Sequence, residues 1–145
     1  MGYTISVSED GTYLRVQVNE PMTRKLAGRI GQEMNATGAE HNLKCYLYDL
    51  RNVPNVESPA TNYFFAHEDM PALHLDKSVR SAILASPEDH SHDFAETVLL
   101  NAGYTVRLFR DEAAAIAWLE GLDAPRLDDL AGRGGEVGQI GEGNG

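Results

Sequence analysis

Lys44-Cys45-Tyr46-Leu47-Tyr48-Asp49-Leu50-Arg51, followed by Asn52 to Ala60, is the stretch from which the rest of the chain is read. From Leu43 to Leu50 nearly every side chain is apolar or aromatic, the pattern of a central strand covered on both faces in an α/β sheet. Asp49 breaks that run. A carboxylate there is expensive to bury alone, so it must meet the sheet rim, a hydrogen-bonded turn or a charged partner such as Arg51. The rim at the carboxyl ends of parallel strands is the usual ligand crevice. In the segment that follows, Pro54 and the asparagines mark a loop, and Ser58 before Pro59 reads as a helix cap and first helical residue.

The start of that helix presents free N–H groups and the positive end of a dipole, which would favour an anion or a phosphate carried by Ser58. The plainer reading is that Ser58 only caps the helix. Asp49-Leu50-Arg51-Asn52-Val53, then three residues, then Glu57-Ser58 resembles the strand, loop and acidic-plus-serine segment of the STAS (anti-sigma-factor antagonist) family. The resemblance puts Ser58 on the family's phosphoacceptor serine and Glu57 on the aspartate before it. Pro59 and Ala60 stand where the family has a second serine and a glycine. The span from Tyr3 to Glu120, ending in Phe109-Arg110-Asp111 and Ala117-Trp118-Leu119, is similar to uncharacterised bacterial STAS-like, SEC14-like proteins. The likeness implies a STAS-like fold and a regulatory protein-binding role, with small hydrophobic or lipid ligands in the SEC14-like branch as the alternative.

At 145 residues and 42% apolar composition the chain can bury roughly two-thirds of its unfolded surface without covalent staples. The single cysteine, Cys45, excludes an intrachain disulfide and fits a reducing, cytoplasmic setting. No apolar run reaches a membrane span, and no signal segment is expected. A net charge of −10 repels phosphate backbones and anionic lipid surfaces, so nucleic acid and membrane are not expected partners.

Along the chain, alternating Tyr3 to Val7 and Tyr13 to Val18, joined at Asp10-Gly11, spell an edge hairpin. Leu26, Ile30 and Met34 predict a helix from about Met22 to Ala36, in which Gly28 and Gly31 suggest close packing on the sheet. The helix from Pro59 carries Tyr63, Phe64 and Phe65, which predict core, a ligand-pocket wall or a homodimer surface. A strand over about Ser78 to Ala85 follows. Phe94, Ala95, Val98, Leu99 and Ala102 make the stripe of a helix ended by Gly103, capped by Ser91 or by Asp93 with Glu96. Tyr104 to Phe109 is a strand, and Asp111 caps a last helix. The order ββαβαβαβα predicts a mainly parallel sheet in one STAS-like α/β domain, 1–121. Seven of the 14 glycines lie between Gly132 and Gly145, so 122–145 reads as a flexible tail.

His90 and His92 are the residues to consider as metal ligands, but a two-residue spacing with no third ligand argues against a metal. No Gly-x-Ser-x-Gly elbow, Walker loop or Rossmann fingerprint is present in the sequence, so neither catalysis nor a cofactor is expected. Asp49, Arg51, Glu57, Ser86, His90 and His92 are expected to converge on one binding rim, with Ser58 as the phosphoacceptor candidate and Tyr63, Phe64 and Phe65 as a pocket wall.

Overall fold

Alternation of apolar Tyr3, Ile5 and Val7 with polar Thr4 and Ser6 produces β1 (Tyr3–Val7), which pairs antiparallel with β2 (Leu14–Val18). Gly11, at φ 74°, sits in the connecting turn, where only glycine is free of strain. In the computed structural model, which describes residues 2–74 and 76–121, three further strands follow. They are β3 (Cys45–Asp49), β4 (Arg80–Leu84) and β5 (Thr105–Phe109). The sheet order is β1-β2-β3-β4-β5, and every pair after the hairpin is parallel. The edge hairpin and the strand and helix order are those expected. The glycine-rich stretch 122–145 lies outside the described residues.

The helix α1 (Arg24–His41) joins β2 to β3. Thr23 caps it by accepting from Leu26 N at 3.1 Å, and Asn42, left-handed at φ 57°, ends it. It runs five residues past the expected end because Gly38 does not stop it. Gly38 faces the sheet, and a Cβ there would overlap the Tyr46 ring and hydroxyl. The expectation of close packing at Gly28 is therefore corrected, since open space surrounds that position. Gly31 is buried and borders a cavity described below.

Between β3 and β4 the chain forms α2 (Pro59–Phe64), a wider π-helical turn over Phe65–Asp69, and the short α3 (Met70–Ala72). The helix α4 (Asp93–Asn101) precedes β5, and α5 (Glu112–Leu119) follows it. Asp111 caps α5 by accepting from Ala114 N at 2.9 Å, as the sequence indicates. At α4 the expectation fails. His92 takes the cap position without a side-chain cap bond, and Glu96 Oε2 instead accepts from Leu108 N of the edge strand at 2.7 Å.

Strand alternation divides the apolar side chains between two faces. Leu14, Val16, Tyr46, Ile83 and Val106 pack with Leu26, Ile30 and Met34 of α1. Leu47, Ala82 and Leu84 pack with Ala115, Trp118 and Leu119 of α5. The sheet therefore separates two cores, one on each face. Phe94, expected in the stripe of α4, is 42% exposed.

Candidate functional site

On the α1 face, the sheet and its covering helices do not close. Tyr46, Tyr48, Ile83 and Val106 form the floor of a cavity of about 140 Å³. Ala27, Ile30 and Gly31 of α1 form one side, Ala95, Val98 and Leu99 of α4 the other, and Phe65 and Met70 lie in the cover. The cover is held to α1 by Arg24, whose Nε and Nη2 lie 2.6 and 2.8 Å from the two oxygens of Asp69. Glu57 Oε2 accepts from Arg24 N at 2.8 Å, satisfying a free donor at the start of α1. Small side chains explain the void: Gly31, Ala27 and Ala95 stand where larger residues would fill it.

Polar side chains interrupt this mainly apolar wall, among them Arg24, Glu57 and Asp76 near its edges and, beside the apolar floor, His92 and Tyr48. His92 is 2% exposed, and its Nε2 lies 2.8 Å from Val53 O and 3.5 Å from Asp89 Oδ2. Since a carbonyl oxygen only accepts, Nε2 carries the hydrogen. Tyr48, in the middle of the central strand, has a phenol pushed well up by burial and, next, by Tyr46.

Asp49 faces the other way. It is buried beside α5, and its Oδ2 accepts from Arg15 Nη2 and from Arg51 Nη2, each at 2.7 Å. Its Oδ1 accepts from Arg51 Nε at 2.9 Å. Glu112 completes the group, 2.9 Å from Arg15 and 3.2 Å from Arg51. Desolvation pushes the Asp49 carboxyl up, but the Arg51 hydrogen bonds and the charges of Arg51 and Arg15 outweigh it and hold the group below the usual carboxylate range.

The loop after β3 is tied to its neighbours. Met22 N donates to Pro54 O and Val56 N to Met22 O, and Asn55 N donates to Ser91 Oγ at 2.8 Å. Ser58 caps α2, its Oγ accepting from Thr61 N at 3.2 Å, with Pro59 in the first turn. Ser58 is exposed, as are Val56, Tyr63 and Phe64 close to it in the chain.

The expected rim is thus not one site. Asp49 and Arg51 lie on the α5 side, and Ser86 Oγ accepts from Asn52 N at 2.8 Å. His90 is exposed, its Nδ1 3.0 Å from Asp93 Oδ2 and 3.1 Å from Arg110 Nη2. His92 is buried with the cavity, so the two imidazoles do not converge. Among the described residues, no group of three histidine, cysteine or acidic side chains is placed to hold a metal ion. The expected pocket wall is corrected too. Phe65 borders the cavity, but Tyr63 and Phe64 are 49% and 42% exposed, because consecutive helical residues point about 100° apart. Sequence reasoning missed Tyr46 and Tyr48 as cavity floor. The signal available was their alternation along the central strand, facing a helix that carries Gly31.

No protein-family model matches the chain, and no curated protein matches it. A solved structure does. The crystal structure of an uncharacterised protein of the DUF3478 family, with a SpoIIAA-like fold, from Shewanella loihica PV-4, aligns with a TM-score of 0.51 at 20% sequence identity. The alignment covers 81% of this chain and 94% of that one. No helix among the described residues is long and apolar enough to cross a membrane. With its edge hairpin, its parallel strands and Ser58 at the helix start after the central strand, this chain has the SpoIIAA-like, STAS-like α/β fold.

Proposed function

We propose that this STAS-like domain is a non-catalytic binding module whose cavity holds a small apolar ligand. One observation carries this reading: about 140 Å³ of space walled mainly by apolar side chains lies between the sheet and three helical segments. The space opens to solvent and its walls are mainly apolar, so an apolar molecule that displaces water from it gains by burying that surface. Its size resembles engineered cavities of about 150 Å³ that take benzene. A small ring fits that volume, whereas a whole phospholipid does not.

The test is binding of benzene, toluene and cyclohexane to the full chain by ligand-observed NMR, beside Ala95→Leu, which fills the space. Binding to the wild type that Ala95→Leu abolishes, with a raised melting temperature in the variant, is the expected result. No binding by any of them removes the support for this reading.

A second reading, a regulatory protein-binding module switched at Ser58, is favoured by the exposed Val56, Tyr63 and Phe64 near that serine. In this reading the surface docks a protein partner or a second copy of the chain in a homodimer. A phosphate on Ser58 would add about −1.5 to −2 charges beside it. Pull-down from the native host with Ser58→Ala and Ser58→Asp baits, with the mass from light scattering, tests it. Identical partners for both variants and a monomeric mass would leave it without support.

A further inference from the structure

The ring of His92 belongs to the cavity wall, and that wall is chemically asymmetric. Nε2 is committed as a donor to Val53 O at 2.8 Å. In the neutral imidazole the remaining nitrogen, Nδ1, is therefore a bare acceptor. It has no hydrogen-bond partner among the described residues, although the side chain is 98% removed from solvent. The hydroxyl of Tyr48, a partly buried side chain of the same lining, is another polar atom with no partner among the described residues. A buried polar atom without a partner is costly, and native structures rarely keep one without a reason.

We infer that the cavity takes a neutral, ring-sized molecule bearing one hydroxyl, a compound of the phenol class, read by the open acceptor of His92 and by the Tyr48 hydroxyl. The inference rests on the apolar-ligand reading above and specifies its polar group. A hydroxyl supplies the donor that Nδ1 lacks and can also accept from Tyr48. A carboxylate brings only acceptors to Nδ1 and enters a lining that already holds Glu57 and Asp76, while the guanidinium of Arg24 is committed to Asp69 and Asp89 lies on the far side of the imidazole. A plain hydrocarbon leaves both polar atoms unpaired.

The experiment measures dissociation constants of phenol, toluene and benzoate for the full chain at neutral pH by isothermal titration calorimetry. A wall that offers only apolar surface would reject phenol against toluene by more than about tenfold, because the hydroxyl would lose its hydrogen bonds to water. The expected result is that wild-type protein binds phenol at least as tightly as toluene and benzoate more weakly than both. The phenol-to-toluene affinity ratio should fall about tenfold in Tyr48→Phe, in His92→Phe, or in both. Tyr48→Phe removes only an oxygen without a protein partner, so it keeps the test open if His92→Phe does not fold. Toluene favoured over phenol by more than tenfold, or a ratio unchanged in every folded variant, overturns the hydroxyl inference and leaves the apolar-ligand reading standing. Benzoate binding tightest overturns it as well. Failure of all three probes overturns both.

Discussion

Arg15 Nη2 and Asp49 Oδ2 lie 2.7 Å apart across neighbouring parallel strands, 34 residues apart in sequence, on the sheet face that α5 covers. The pair explains how a carboxylate is tolerated at the end of the central strand, since Arg15 and Arg51 together supply three side-chain hydrogen bonds to it.

Replacing Asp49 with Asn should cost about 1–3 kcal/mol, less than a fully buried broken pair, because water reaches both arginines in part. The pH dependence follows from the direction of the shift. The folded carboxyl lies below its unfolded value of about 3.9, so its contribution is fully present above that pH and is lost as pH falls through the lower folded value. Urea unfolding at pH 7 and pH 3 should show the wild-type advantage shrinking in acid. An advantage equal at both would rule out this account.

Two glycines of α1 should respond to alanine with opposite signs. Gly28→Ala meets open space and should stabilise by about 0.5–1 kcal/mol through helix propensity. Gly38→Ala drives a methyl into the Tyr46 ring and should lose about 1–3 kcal/mol net. Melting curves of the two variants decide it, and a stabilised Gly38→Ala would mean that Tyr46 moves aside freely.

Leu47 is fully buried under α5, whereas Leu99 borders the cavity and is only partly buried. Leu47→Ala should cost about 2–5 kcal/mol, and Leu99→Ala less than Leu47→Ala, since Leu99 already has fewer neighbours to lose. Equal losses in denaturant titrations would argue that the space beside Leu99 is filled.

Ser58→Ala should lose roughly 0.5–2 kcal/mol by removing the acceptor for Thr61 N, while Ser58→Asp, which also caps, should lose little. Thermal unfolding of both variants checks this, and an alanine variant as stable as wild type would show that the cap contributes nothing.

Local chemistry was legible in the sequence. Ser58 and Asp111 cap helices because a short side-chain oxygen reaches a backbone N–H three residues ahead, whatever surrounds it. The strand and helix order and the edge hairpin followed from periodicity over a few residues. What the tertiary structure alone decided depends on phase and register between distant segments. Strand alternation sends Asp49 to the α5 face and Tyr48 to the α1 face, so residues adjacent in sequence belong to different environments. The turn of the helix after Ser58 sends Phe65 inward and leaves Tyr63 and Phe64 outside. His92 is buried because Val53, 39 residues away, offers its carbonyl. The cavity is the space that three helical segments leave over one sheet, a property of their spacing and of no single residue, which is why the sequence alone does not display it.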